Sequence, residues 1–551
     1  VQNRQSPEER FSEAKAACSY ARGWTTKGEM DMSKKMRVFS LLLALAMAFG
    51  LLAGCSKDEP ADKPNENPGG SDEPNKSGSA KDSVVIATMG ETPTLSPVEH
   101  NAVAGGYMNQ LTYSTLFRTG MDLEPEPNLV ESYENISDTV WEFKLKEGVK
   151  FHNGETMTAE DVKASIENAQ QYAEVNLYNR DIINIEVVDE LTVRMETREV
   201  DAMMLSNLTS QGNSVLPKSL LDSGHDFNTE PIGTGPYKFV KWNRGDSVEF
   251  EAFEDYFLGE PAIKHMTWKI IPEGSSRTIA LEAGEIDMII EVEAMDADRL
   301  RANDDIEVIQ FNHTSHNWLM LNNEKPGLDN QNVRHAINSA IDKESVVTVA
   351  YNGMATPSWT AMPMNFEGTT EENADTYDVE KAKEYLAASG VDPASIELPI
   401  ICSDDTKKRA GEVVQANLKE IGINATIESM DLATYLSATA EGNYTAAIGG
   451  YTSSNLLSYV VGVYHSSSIN ASNKTRLNDP EVDELIDQAK VTLDPAERKG
   501  IMEKLSARLN ELCSQVSLYQ PLTLRAYNKN LKGVEINDAG TIRYENMYWA
   551  E

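Results

Sequence analysis

The sequence predicts a mixed α/β protein of more than one domain, and three observations carry that reading. The chain has 551 residues, more than one compact core accommodates. From Val84 onward, strand-like and helix-like stretches alternate without internal repeats, as layered sheet-and-helix domains do. A polar stretch from Ser56 to Ser83 separates this body from a short apolar run near Val38.

The N-terminal segments come first in the chain. Residues 1–31 fit neither the body nor a targeting pattern, and they read as an upstream, non-native extension with the natural start at Met32 (or Met30). Lys34, Lys35 and Arg37 then precede an apolar run from Val38 to Ala53 broken only by Ser40 and Gly50. A positive flank, a short apolar stretch and small residues are the layout of a secretory signal. The run falls short of the ~20 residues a spanning helix needs. Its end, Leu52-Ala53-Gly54-Cys55, resembles the bacterial lipobox. That resemblance makes residues 32–54 a lipoprotein signal peptide and Cys55 the lipidated N-terminus of the mature chain. Residues 55–83 carry no large apolar side chain and are expected to form a disordered tether with a span of roughly 30 Å.

In the body, Val84-Val85-Ile86-Ala87 predicts a buried strand, and Trp141, Phe143 and Leu145 alternate with polar residues as a half-buried one. Asn153-Gly154 marks a turn, after which Thr158 and Asp161 cap a helix carrying Val162, Ile166 and Ala169. Gly233-Thr234-Gly235-Pro236 leads into a strand with Tyr237 and Phe239 on one face. Val333, Ala336, Ile337, Ala340 and Ile341 follow the spacing of a helix packed on one side. A helix over 404–421 ends at Gly422, and Ile423, Ala425 and Ile427 alternate as a strand. Asp479-Pro480 and Asp494-Pro495 each set a capping residue before a first-turn proline.

Composition narrows the function. The 49 basic and 87 acidic residues give a net charge of −38, a field that repels nucleic acid and anionic headgroups. Four cysteines, Cys18, Cys55, Cys402 and Cys513, show no metal-ligand spacing. Cys402 and Cys513 read as buried thiols, with a bridge between them left open. Gly233-x-Gly235 lacks the context of a dinucleotide loop, and His313 and His316 lack the glutamate of a zinc protease. His152 reads as a turn or core histidine. With 8 histidines and no convincing cluster, no metal, cofactor or catalytic residue is predicted.

The run from Leu129 to Ala164, containing WEFKLKEGVKFHNGETMTAEDV, resembles the signature of the extracellular solute-binding proteins of family 5, the dipeptide and oligopeptide receptors of ABC importers. PIGTGPYKFVKW (231–242), LEAGEIDM (281–288), VRHAINSAIDKESVV (333–347), YDVEKAKEYLAASG (377–390), LKEIGINATIE (418–428), NDPEVDELIDQA (478–489) and Val534 after Lys532-Gly533 are similar to further family blocks in the same order. The resemblance implies a two-lobed periplasmic-binding-protein fold (type II, cluster C-like) with a hinge and an interlobe ligand cleft. It places lobe 1 at 84–315 with 517–551 and lobe 2 at 316–516, crossed near Trp318 to Leu321 and Val516 to Leu524. It also implies a monomer that captures a peptide or other small solute by closure and delivers it to a permease and ATPase.

Site residues follow from the same resemblance. Peptide receptors of the family pair the ligand's ammonium with an aspartate in a Gly-Trp-x-x-Asp-type segment. The corresponding segment here is Gly449-Gly450-Tyr451-Thr452-Ser453-Ser454-Asn455, with Tyr451 in place of tryptophan and Ser454 in place of aspartate. A buried ammonium without a counter-charge is costly, so the departure also suits a neutral, hydrogen-bonding ligand. His100 and Asn101 follow the first strand, and Tyr351, Trp359 and His465 lie in second-lobe loops; all are expected near the cleft. The alternatives are the same scaffold with an oligosaccharide, opine-like compound or nickel chelate, and a ligand sensor not coupled to transport. A secreted enzyme has no motif in its favour.

Overall fold

The computed structural model describes residues 81–550 except His313 and Ser454. The upstream extension, the signal, Cys55 and all but the end of the predicted tether lie outside the described residues.

A 12-stranded hydrogen-bonded system runs Asn424–Ser429, Glu397–Cys402, Ala446–Thr452, Ser315–Leu321, Gln515–Asn528, Met288–Ile289, Ser83–Thr88, His265–Ile270, Ser247–Ala252, Tyr237–Asn243. Two further strands, Ile306–Asn312 and Ala355–Pro357, also pair with Gln515–Asn528. That long strand serves both halves of the body. Near its start Val516 lies opposite Leu319 and Tyr519 opposite Asn317. Farther on, Leu522 lies opposite Asn312 and Asn528 opposite Ile306. Pro521 falls between these two pairings, opposite Ala355. With no N–H to donate, proline suits a point where one ladder stops and another begins. The consecutive strands Ile306–Asn312 and Ser315–Leu321 thus belong to different halves.

The half built on Ser315–Leu321 is buried on both faces. Leu319 and Leu321 join Val333, Ile337, Ile400, Val414 and Ile448 in one core, and Trp318 and Met320 join Tyr459, Val460 and Met502 in another. Period-2 alternation of an unbroken apolar run produces this division. The predicted helices are present here with their caps. Gln331–Ala340 buries Val333, Ala336, Ile337 and Ala340. Asp404 caps Asp405–Glu420, Asp479 caps Pro480–Val491 and Asp494 caps Pro495–Leu512, each accepting a backbone N–H. Gly422 has φ 85°, the left-handed conformation glycine adopts without strain.

In the other half, Ser83–Thr88 pairs in parallel with His265–Ile270 and buries Val84, Ile86 and Ala87. A separate antiparallel sheet of Val130–Ser137, Val140–Leu145, Thr192–Thr197 and Ile182–Asp189 packs Phe143, Val193 and Met195 against Val162 and Ile166 of the helix Ala159–Ala169. The Thr158 N–H donates to the Asp161 carboxylate at 2.8 Å, closing the predicted capping box. His152 joins two loops: its Nε2 lies 3.0 Å from the Gly235 carbonyl, and burial lowers its pKa to about 4. Cys402 and Cys513 are both free and buried. Among the described residues, no helix is long and apolar enough to cross a membrane.

Candidate ligand-binding site

A cavity of about 530 Å³ lies against the helix Val103–Thr112 and the long strand, and is lined by His100, Asn101, Tyr107, Arg118, Arg525 and Arg543, among others. Asn455 and Ser458, at the start of the helix Leu456–Tyr464, bring the other half of the sheet system to the same cavity. Its volume is within the roughly 300–1,000 Å³ of small-molecule sites.

His100 is seated by its neighbours. Its Nδ1 accepts the Ala102 N–H at 3.1 Å, and its Nε2 lies 3.4 Å from the Asn109 amide. Burial lowers its pKa, with Glu99 opposing. A neutral imidazole is therefore the form at neutral pH. Gly105 makes room for it, because a Cβ there would overlap the imidazole ring.

The charged lining comprises Arg118, Arg525 and Arg543 against Glu291 and Glu545. Arg118 pairs with Glu126 at 2.5 Å and with Glu545 at 2.9 Å. Arg543 donates to Glu126 at 2.8 Å and to the Thr119 carbonyl at 2.7 Å. Glu291 accepts from the Thr88 hydroxyl at 3.3 Å and the Met89 N–H at 3.1 Å, and burial raises its pKa. Arg525 is 1% exposed, and its Nη2 donates to the Tyr107 hydroxyl at 3.3 Å and the Gly540 carbonyl at 3.1 Å. None of these charged residues was singled out in the sequence. One signal was present: an arginine inside the strand run Leu522 to Ala526 is a charge in a position that is normally apolar.

Of the residues expected near the cleft, His100, Asn101 and Asn455 line this cavity, and Tyr351, Trp359, Tyr451, Ser453 and His465 are not in its lining. Asn455 caps its helix, its side chain accepting the Ser458 N–H at 3.0 Å. Ser453 folds onto the same turn, its Oγ donating to the Asn455 carbonyl at 2.8 Å. Tyr451 packs its ring 5.9 Å from Tyr459, and Tyr351 packs 4.5 Å from Tyr519. Trp359 lies beneath Lys343. The His465 Nδ1 accepts the Ser467 N–H at 3.1 Å. Ser454 lies outside the described residues.

His316 is buried between the Tyr459 hydroxyl and Ser358 Oγ, each at 2.9 Å. Its pKa is lowered to about 3 by burial, with Lys343 adding to the effect. Elsewhere the fold brings His335, Asp375 and Cys513 within 4.8 Å of one another. Both His335 ring nitrogens are engaged, Nδ1 with Asp375 at 2.6 Å and Nε2 with the Glu511 carbonyl at 2.8 Å. With both ring nitrogens held by protein acceptors, no imidazole lone pair is left for an ion, and the group reads as a buried polar network.

Two sheet halves sharing one long strand, with a ligand-sized cavity reached by both, define a two-lobed binding protein of the periplasmic type. Residues 124–471 match the family model described as "Bacterial extracellular solute-binding proteins, family 5 Middle". The chain belongs to family 5, the solute-binding receptors of ABC importers. It is 26% identical over 536 residues to the heme-binding protein A of Haemophilus influenzae, covering 89% of this chain and 95% of that protein. It is 27% identical over 521 residues to the glutathione-binding protein GsiB of Escherichia coli (strain K12), again covering 89% and 95%. The structure of HbpA2 from Haemophilus parasuis superposes with a TM-score of 0.80 at 23% identity, covering 85% of this chain and all of that one. These relatives are binding proteins, and the chain is a binding protein rather than an enzyme.

Proposed function

We propose that this protein is a lipid-anchored, monomeric receptor that captures a short peptide or peptide-like solute and passes it to an importer. The observation that carries the reading is the cavity itself, bounded by His100 and Asn101 on one side and by Asn455 and Ser458 on the other. A ligand touching both sides gains contacts when the lobes approach, which is the means by which binding favours a closed form. The lobes divide at 84–315 with 517–551 and at 316–516, with crossings near Trp318 to Leu321 and Val516 to Leu524; the change of partner strand along Gln515–Asn528 supports the second crossing. The glutathione-binding relative supports the ligand class, since glutathione is a tripeptide, whereas the name of the heme-binding relative does not. Ser454, in place of the ammonium-pairing aspartate, points away from ligands held chiefly by a free N-terminus. Leu52-Ala53-Gly54-Cys55 supports lipidation at Cys55, where two or three acyl chains give stable anchoring.

Thermal denaturation of the purified chain against di- to pentapeptides, glutathione, oligosaccharides and nickel chelates tests the ligand class. A peptide-type ligand at 100 times its Kd is expected to add about 2.7 kcal/mol. No shift with any peptide at millimolar concentration, or a shift with sugars or chelates alone, refutes it. Expressed in a bacterium that processes lipoproteins, the chain is expected in the membrane fraction, and its Cys55→Ser variant is not. Equal partition of the two refutes the anchor.

A further inference from the structure

We infer that Arg525 is the receptor for a carboxylate of the ligand. The inference deepens the reading of this cavity as a solute site by assigning the ligand's charge.

Arg525 stands on the long strand shared by both sheet halves and lines the cavity although it is 1% exposed. Its Nη2 is occupied by the Tyr107 hydroxyl and the Gly540 carbonyl. Among the described residues, no protein group accepts from its Nε or its Nη1. The rings of Tyr107 and Phe311 lie 5.6 and 5.4 Å from the guanidinium carbon, adding cation–π attraction but no acceptor. Arg118 and Arg543, in the same lining, both have carboxylate partners within 2.9 Å. Arg525 has no ion pair with any described carboxylate. A guanidinium cannot shed its proton, and a buried charge lacking a partner is strongly destabilising.

The lining as a whole agrees. It contains three arginines, two glutamates and no lysine or aspartate, and Glu126 just outside it engages Arg118 and Arg543. Glu126 and Glu545 pair with Arg118 and Arg543, whereas Arg525, on which Glu291 acts only at longer range, has no carboxylate within ion-pair distance among the described residues. A planar carboxylate on a small solute supplies the acceptor oxygens and the charge together, in the geometry a guanidinium prefers. A neutral sugar supplies acceptor oxygens but no charge.

The test uses the full chain and defined probes. Acetate, the simplest monocarboxylate, is titrated at constant ionic strength against the wild type, Arg525→Met and Arg525→Lys, with thermal denaturation as the readout. A rise of at least 2 °C in the wild type, reduced in Arg525→Lys and absent in Arg525→Met, is expected. An equal shift in all three, or none in the wild type, overturns the assignment. Without probe, Arg525→Met is expected to melt at or above the wild-type temperature, because an uncompensated charge has been removed. A loss of more than about 10 °C would show the arginine to be structural and overturn the inference; if that variant does not fold, Arg525→Lys decides through the acetate titration.

Trialanine and trialanine amide form the second arm. The acid is expected to bind the wild type at least tenfold more tightly than the amide, and the ratio to fall towards one in Arg525→Lys. Equal binding of acid and amide by the wild type overturns the carboxylate assignment. If neither tripeptide binds but the acetate response still depends on Arg525, the peptide reading fails and the carboxylate site stands. Inorganic phosphate, run in parallel, is expected to shift the wild type less than acetate does, and a larger shift would overturn the assignment in favour of phosphate.

Discussion

The ammonium of Lys343 lies 4.1 Å above the ring of Trp359. Lys343 is fully buried, and its Nζ donates to Asn338 Oδ1 at 3.0 Å. Trp359, expected from the sequence near the cleft, covers a buried cation with this face of its ring. The Asp375 carboxylate also acts on the ammonium, favouring its charged form.

Burial nevertheless dominates and lowers the Lys343 pKa to about 7, against about 10.4 in an unfolded chain. Because the folded value is the lower one, the native state binds fewer protons between about pH 7 and 10, and stability rises with pH across that window. Below about pH 7 both states are protonated and the full cost of burying the charge remains. Urea unfolding of the wild type and Lys343→Met should therefore show the stability difference moving in favour of the wild type by about 2 kcal/mol between pH 6 and pH 9. A difference independent of pH would mean that Lys343 keeps its proton throughout.

Gly105 and His100 form a second dependence that can be measured. A Cβ at residue 105 would overlap the His100 imidazole, so Gly105→Ala must displace the ring or the helix. The expected cost is about 1–3 kcal/mol, together with weaker ligand binding. In the His100→Ala background the obstruction is gone, and the same change should stabilise by up to about 1 kcal/mol, because alanine is the better helix former. Melting of the four proteins in this cycle gives the coupling directly. Gly105→Ala effects of the same sign in both backgrounds would show that the ring is not what the glycine accommodates.

Local features of the fold were legible because their causes are local. Asp479, Asp494 and the Thr158–Asp161 pair cap helices where they were expected to, since a cap needs only residues within one turn. Val84 to Ala87 read as a buried strand for the same kind of reason, and Val84, Ile86 and Ala87 are buried. The double service of Gln515–Asn528 was less legible, because its partners are residues near 310 and 320 chosen by tertiary packing. The site shows the same limit. Arg118, Arg525 and Arg543 line one cavity from distant parts of the chain, and no spacing rule links them. Asn455 was reachable through the family segment, whereas Tyr351 and Tyr451 share that provenance and pack against Tyr519 and Tyr459 instead.

The two described cysteines yield a chemical prediction. Burial pushes the Cys402 thiol up to about 11 and the Cys513 thiol up to about 12. The thiolate is the reactive form, so at pH 8 both are expected to resist iodoacetamide for hours in the folded protein and to react within minutes in urea. Peptide mapping by mass spectrometry distinguishes them from Cys18 and Cys55. Rapid alkylation of Cys513 under native conditions would show that the end of the helix Pro495–Leu512 opens locally.

The contrast between an acidic chain and an arginine-lined cavity predicts an unusual salt response. A carboxylate ligand approaching a protein of net charge −38 meets repulsion at long range and attraction only within the cavity. At about 10 mM salt the screening length is about 30 Å and the whole chain is felt; at about 150 mM it is about 8 Å and only the nearest charges are. The association rate of trialanine acid should therefore rise several-fold over that range, opposite to the fall seen when steering is attractive. Stopped-flow fluorescence of the chain's 7 tryptophans can follow it, and the uncharged amide should show little change. An association rate that falls with salt for the acid would mean that the arginines of the cavity govern the approach as well as the binding.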